Sequence, residues 1–331
     1  MRAIRLDRIG PPENLKVVEV PIPSIDEHGV LVRTALSGLI YADVEARKGT
    51  YYSQTRLPWY PGREVAGIVE RVGERVADIR PGDRVAALVL KGGCYAEYVA
   101  ASTRPLAPGS AMREADIIVL PDTVTFGQSL VHLINFRLVH LLVHAWAKVP
   151  RGARVLVHGA SGGMGSMVIQ LARALDCTVI ALVRSREEAG YCRRIGANHV
   201  IDITRSKYED AVRDITEGKG VEFSFNGVGG ETINRDPAIM APFGEIHAYG
   251  YVAGKIDFHP FAVSKSLALK TFAADDYFST SAFSAATAAM YEWFRTGPLL
   301  DVSEVFSFDD VAGAHRRLEE GRVLGKIALR P

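Results

Sequence analysis

The sequence predicts an α/β protein in which a β-rich region is interrupted by a doubly wound parallel sheet. Three observations predict it. Residues 1 to about 100 carry short β-branched runs (KVVEV, VLVRTAL, AGIVERV, DRVAALVL) separated by Pro and Gly punctuation such as PIPS, PGRE and RPGD. From residue 155 the rhythm changes, and apolar strands (VLVHG, TVIALV, HVID, VEFSF, EIHAYG) alternate with helical segments. That alternation belongs to βαβ units, whose parallel strands are covered on both faces. Third, the turn after the first of these strands is rich in glycine.

In chain order, the β-rich region is followed by ASTRPLAPGSAMREAD, residues 101–116, which reads as a surface loop. Residues from about 124 to 149 read as helical. The parallel-sheet region follows, and from about 269 the pattern returns to mixed structure with a helix around DDVAGAHRRLEE. The expected division places a cofactor domain at 126–268 between two parts of a β-rich domain, 1–125 and 269–331. At 331 residues with 48% apolar side chains, the chain is long enough for two cores.

Composition narrows the function classes. The 39 basic and 38 acidic residues leave a net charge of +1 and offer no basic surface for a nucleic acid. Cys94, Cys177 and Cys192 are far apart, so neither a disulfide framework nor a cysteine metal lobe is expected, and a reducing cytoplasm fits. The first residues, MRAIRLDRIG, lack an apolar run of signal-peptide length. No stretch is expected to reach the roughly 20 apolar residues needed to span a bilayer.

The glycine turn runs Gly159-Ala160-Ser161-Gly162-Gly163-Met164-Gly165, after the strand VLVH. Beyond it Met164, Val168, Leu171 and Leu175 keep an apolar stripe at helical spacing. A glycine at 162 lets backbone approach a pyrophosphate, and one at 165 lets the helix pack close to the strand. The helix start then favours the negative charge. The pattern is A-x-G-x-x-G, with Ala160 at the first usual glycine. The bland alternative is a tight turn. At the end of the second strand an NAD site places an acid for the ribose 2′-OH. Here Val183 is followed by Arg184, Ser185 and Arg186, which suit a 2′-phosphate and so NADPH. The alternative is that these arginines are solvated loop charges.

Together these segments resemble a zinc-independent medium-chain dehydrogenase/reductase of the quinone oxidoreductase (ζ-crystallin-like) branch. The resemblance runs along essentially the whole chain, through MRAIRLDRIGPPENLKVVEVPIP, SGLIYADVEARKGTYY, PGREVAGIVERVG, GGCYAEYV, VLVHGASGGMG, RRIGANHVID, NGVGG and GKIAL. It implies a GroES-like catalytic domain and a Rossmann cofactor domain. Zinc-dependent relatives hold metal with a Cys, a His and a third ligand. This chain has Gly38, Leu39 and Ile40 around the Cys position and Arg63 at the His of the GHE motif. An arginine stays protonated and cannot ligate zinc, so no catalytic zinc is expected. Glu64 reads as structural. His140 and His144, four apart with His132 before them, lack the H-E-x-x-H frame and read as core or surface residues.

Without a Lewis acid, the expected acceptors are activated ones: a quinone, an enone or an enoyl thioester. The resemblance implies Tyr51, in Gly49-Thr50-Tyr51, as proton donor, against the alternative that Tyr51 and Tyr52 only line a pocket. It places Tyr41 and Asp43 near the nicotinamide, where Asp43 orients substrate or water. Equally, Asp43 could cap a helix beginning at Val44. Asn135 and Phe136, then Asn226, Gly227 and Val228, then Ala248, Tyr249 and Gly250 match segments that cradle the cofactor. Ile40, Leu138, Glu188 and Ile203 depart from residues common in the branch; the first two make the site more apolar and the second two weaken the usual NADPH clamp.

The leading expectation is a cytoplasmic NADPH-dependent reductase of quinones or activated double bonds. Its alternatives are a trans-acting enoyl-thioester reductase or tailoring enzyme of a biosynthetic pathway, and a non-redox cofactor-binding protein or cyclase. Relatives pair through the edge strand of the cofactor sheet, so a homodimer through Leu267–Phe272 is expected.

Overall fold

The computed structural model describes residues 1–51, 55–105, 113–205, 207–254 and 265–331. Contacts divide the chain into two compact units, Met1–Ile134 with Thr287–Pro331, and Asn135–Ala286.

The first unit opens on an antiparallel ribbon, β1 (Arg2–Leu6) with β2 (Leu15–Glu19). Its main sheet uses β3 (Gly29–Gly38), β4 (Glu64–Val72), β5 (Arg84–Val89), β6 (Tyr98–Ser102) and β7 (Ala115–Val119). The β-branched runs read from the sequence are these strands. Val30, Val32, Val65, Val69, Val85 and Val89 share one core with Cys94 and Val99. The expected loop at 101–116 begins in β6 and ends in β7, and its residues 106–112 lie outside the described ones.

In the second unit β8 (Arg154–His158), β9 (Thr178–Val183), β10 (His199–Asp202), β11 (Val221–Asn226), β12 (Met240–Ala248) and β13 (Ala268–Thr271) form a six-stranded parallel sheet. Its order is β10-β9-β8-β11-β12-β13. The first three strands step one way from β8 and the rest step the other way from β11, so the carboxyl ends of β8 and β11 lie at the point where ligands bind such sheets. Strands β8, β9 and β11 are almost continuously buried, as strands covered on both faces must be. The edge strand expected at Leu267–Phe272 is β13. The chain then returns to the first unit, where β14 (Glu304–Ser307) and β15 (Ile327–Arg330) complete the order β14-β15-β3-β4-β5-β7.

A helical run, Phe126–Trp146, carries the chain out of the first unit and into the second. By length and composition it is apolar enough to cross a membrane, contrary to the sequence expectation. Ser129, His132, Asn135 and Arg137 interrupt its apolar run in the sequence, and all four are buried. The Ser129 hydroxyl donates to the Phe126 carbonyl at 2.8 Å, and His132 Nδ1 lies 2.8 Å from the Gln128 carbonyl oxygen. Thus two of its buried polar groups find backbone partners within the helix itself, as most buried polar groups do.

In the helix Val311–Glu319, His315 is fully buried, and neither ring nitrogen has a hydrogen-bond partner among the described residues. Burial, helped by the charge of Arg47, pushes its pKa down to about 3. The folded state therefore refuses a proton that the unfolded chain accepts below its ordinary value of 6.5. Stability from this residue is whole above pH 6.5 and is lost as pH falls towards 3, by about 3 kcal/mol between pH 6.5 and 4. His315→Leu should flatten that loss. Urea melts at pH 7 and pH 4.5 check it: the wild type should lose more stability than the variant, and equal losses would show that His315 is not a source of acid sensitivity.

Candidate functional site

The glycine turn in the second unit follows from steric need. Gly159 has φ +60°, and the turn closes with the Gly162 N–H donating to the Gly159 carbonyl at 3.0 Å. Gly162 caps the helix Gly163–Ala174 in extended conformation. A β-carbon on Gly165 would lie 2.3 Å from the Gly159 carbonyl oxygen, so only glycine lets the helix start this close to the strand end. At Gly162 a β-carbon would meet nothing nearer than that same oxygen at 3.4 Å. The two glycines therefore do different work, packing at 165 and open approach at 162. The first N–H groups of the helix lack intrahelical acceptors and favour an anion. Ala160 and Ser161 are buried within the turn. A dinucleotide pyrophosphate fits this cradle.

Past β9, Arg184 and Arg186 are exposed and Ser185 caps the helix Arg186–Arg194, accepting from the Glu188 N–H at 3.1 Å. The Glu188 carboxylate is buried and turned back, accepting the Arg184 N–H at 2.8 Å. The Arg184 guanidinium lies 3.8 Å from its other oxygen. The departure at Glu188 thus shapes the arginine loop from beneath rather than standing free in it.

The ends of β11 and β12 close against the same turn. Asn226 is buried; its Oδ1 accepts from Val228 N and Gly229 N at 3.0 Å each, and its Nδ2 donates to Thr232 Oγ1 at 3.0 Å. Its side chain holds the loop, so its reach towards a cofactor runs through the backbone of Gly227 and Val228. A β-carbon on Gly250 would meet the Gly227 carbonyl at 2.4 Å, and one on Gly227 would meet the Tyr249 ring at 2.5 Å. Ala248 is buried and Tyr249 half-buried beside them. The Val228 side chain in turn faces Gly159, 3.5 Å from where its β-carbon would be.

Beneath these ends sits Asp236, which no local sequence pattern marks. Fully buried, it accepts from Tyr208 Oη at 2.9 Å and Ser224 Oγ at 2.6 Å, and lies 2.8 Å from His158 Nε2. His158 immediately precedes the glycine turn and Ser224 lies on β11, so one carboxylate ties the two central strand ends together. Asn135 lies in a π-helical turn, His132–Phe136, and is buried. Such turns recur at functional sites.

In the first unit, Tyr41 opens the helix Tyr41–Lys48, three residues before the expected start at Val44. Asp43 is therefore not its N-cap but lies inside it at the third position, its carboxylate reaching back to accept the Ile40 N–H at 3.2 Å, and it also accepts from Tyr95 Oη at 2.9 Å. Burial pushes the Asp43 carboxyl up to about 6, against these hydrogen bonds and the charge of Arg63, which pull it down. Its other oxygen is buried with no hydrogen-bond partner among the described residues. Tyr51 is met by Arg63: Nη1 donates to the phenol oxygen at 3.0 Å, and the guanidinium carbon stands 4.9 Å from the ring centroid. Tyr52 lies outside the described residues.

Glu64 is fully buried and ion-paired with Lys326, itself 3% exposed. A β-carbon on Gly38 would lie 2.4 Å from Glu64 Oε2, so no side chain fits at 38 beside this pair. The sequence showed the carboxylate but not its partner, because Lys326 lies 262 positions away in GKIAL. His140 and His144 lie with ring centroids 4.4 Å apart and planes tilted by 44°, and burial lowers the pKa of both, His140 to about 4.

Known proteins similar to this chain match it along nearly its whole length. The family model "Alcohol dehydrogenase GroES-like domain" matches residues 26–111, and "Zinc-binding dehydrogenase" matches 163–290. A quinone oxidoreductase from Lama guanicoe is 30% identical over 99% of this chain and 97% of its own length. A 2-haloacrylate reductase from Burkholderia sp. is 29% identical over 97% and 96%. Among solved structures, Escherichia coli quinone oxidoreductase, determined in complex with NADPH, superposes over the full length of both chains with a TM-score of 0.89 at 25% identity.

The glycine turn separates two roles experimentally. Gly165→Ala should cost about 2 kcal/mol or more in stability, since the clash is with backbone. Gly162→Ala should leave stability within about 0.5 kcal/mol, as expected where no packing is disturbed. Thermal melts of both variants check this; equal losses would contradict the division.

Proposed function

We propose, for a chain that belongs to the medium-chain dehydrogenase/reductase family in its quinone oxidoreductase branch, zinc-free reduction of a quinone or of an α,β-unsaturated double bond with NADPH. The carrying observation is the strand–turn–helix at Gly159–Gly165, with its open approach at Gly162 and two arginines after the next strand. That the chain is an oxidoreductase follows from its relatives. The nicotinamide choice and the acceptor are the proposal, supported by the absence of an acid at positions 184–186 and by relatives named for quinones and 2-haloacrylate.

The cofactor domain, 126–268, would hold the pyrophosphate with the N–H groups around Gly162, Gly163 and Met164. Arg184 and Arg186 would take the 2′-phosphate, with Ser185 fixing the loop between them. Backbone of Gly227, Val228, Ala248 and Gly250, with Tyr41 and Asn135, would fix the ring. When bound, the reduced nicotinamide supplies the hydride. Tyr51 then delivers a proton to the acceptor, and Asp43 orients substrate or water through a carboxyl that burial pushes up to about 6. Positioning and proton delivery suffice for an activated acceptor, which needs less polarisation than a simple ketone. Two chains would pair through β13.

Loss of NADPH absorbance, with NADH in parallel, tests this against an ortho-quinone, a simple enone and a crotonyl thioester. Turnover of the quinone or enone, faster with NADPH, is the expected result. Turnover of the thioester alone would make the chain a trans-acting enoyl reductase. Silence on all three with NADPH bound would favour a non-redox role.

A further inference from the structure

We infer that the Tyr249 hydroxyl is a hydrogen-bonding group for the nicotinamide half of the bound dinucleotide, a side-chain contact beyond the backbone cradle. The inference rests on the reading of Gly159–Gly165 as a dinucleotide turn.

The sheet order assigns a direction to such a ligand. The turn that suits the pyrophosphate follows β8, and β9 and β11 flank that strand on opposite sides. Arg184 and Arg186, which suit a 2′-phosphate on the adenosine, follow β9. A dinucleotide whose pyrophosphate sits over the end of β8 therefore carries its other nucleoside towards the ends of β11 and β12. Tyr249 is the first residue past β12.

The structure fixes this residue at both ends. Its backbone N–H donates to the Asn226 carbonyl at 3.0 Å, which ties it to the end of β11. Its ring fills the place a side chain at 227 would take. A β-carbon on Gly227 would lie 2.5 Å from Tyr249 Cε2, 2.9 Å from Cζ and 3.1 Å from Oη. The hydroxyl end of the ring, rather than its root, thus lies over the residue that follows β11. Gly227 is a glycine because the ring occupies that space.

The hydroxyl is uncommitted. Among the described residues none hydrogen-bonds to Tyr249 Oη. The neighbouring polar side chains are engaged: Asn226 holds the Val228 and Gly229 N–H groups, Thr232 Oγ1 donates to the Gly229 carbonyl at 2.6 Å, and His158 meets Asp236. Burial alone pushes the Tyr249 pKa up, so the phenol keeps its proton and can donate as well as accept. The nicotinamide nucleoside offers ribose hydroxyls and a carboxamide, which match such a group.

Calorimetric titration of the full-length protein tests this with NADPH, NADH and adenosine 2′,5′-bisphosphate, which lacks the nicotinamide half (ADP replaces it if NADH binds the tighter). Tyr249→Phe keeps the ring over Gly227 and removes only the hydroxyl. It should raise the Kd of both dinucleotides about fivefold, the worth of one net hydrogen bond. The Kd of the bisphosphate should change less than about twofold, and the melting temperature by less than about 2 °C. Unchanged dinucleotide affinity would overturn the inference. Equal weakening of the bisphosphate would also overturn it, by showing a general loosening of the site. A loss of kcat on an enone at unchanged Kd would place the hydroxyl on the acceptor and overturn it as well. Should the wild type bind neither dinucleotide, the cofactor reading falls and the inference with it.

Discussion

A helix can begin against the carbonyl just past a strand's end, where a β-carbon would come within 2.3 Å of the oxygen, only if the residue there has none. Gly165 against the Gly159 carbonyl is that contact, and the second unit is arranged around it. The helix start is brought to the end of β8, next to the point where the sheet order reverses. From there the other pieces follow by contact: Val228 against Gly159, Gly227 against Gly250, and Asp236 tying His158 to Ser224 below. Several backbone segments with few side chains converge on one place, which is what recognition of a phosphate-bearing cofactor requires.

The first unit works by charge rather than by close approach. Arg63, Asp43, Glu64 and Lys326 lie on or beside β3, β4 and β15, in a region where zinc-dependent relatives hold a metal. Here the charges are absorbed in protein contacts. Lys326 neutralises Glu64, and Gly38 leaves room for the pair. Arg63 turns to Tyr51. Asp43 is left partly desolvated, with a carboxyl near 6 and one oxygen unpartnered among the described residues. Burying a carboxylate in this way costs stability, and such costs concentrate where a protein does chemistry. Relatives named 2-haloacrylate reductase and quinone oxidoreductase are similar to this chain along nearly its whole length.

Much of the fold was legible because it is written in local patterns. The runs VLVH, TVIALV, HVID and VEFSF alternate with amphipathic segments, and each became a parallel strand; the glycine spacing placed the turn. The long helix was legible as a helix but not as one apolar enough for a membrane, because Ser129, His132, Asn135 and Arg137 disguise its character. Pairings distant in sequence were not legible. Nothing local links Glu64 to Lys326, Tyr95 to Asp43 or Asp236 to His158, since each arises only when segments far apart in sequence meet in the fold. The absence of a zinc-binding histidine at 63 could be read directly. The partner that Arg63 takes could not.

The central claim is that this chain moves a hydride from a nicotinamide to an activated carbon using only protein groups to manage the proton. Reduction of a simple enone by NADPH deuterated at the transferable C4 position, with a metal chelator present, measures this most directly. The account predicts product carrying one deuterium at the β-carbon and a hydrogen from solvent at the α-carbon, at a rate the chelator does not change. Product without deuterium at the β-carbon, or turnover abolished by the chelator, would contradict it.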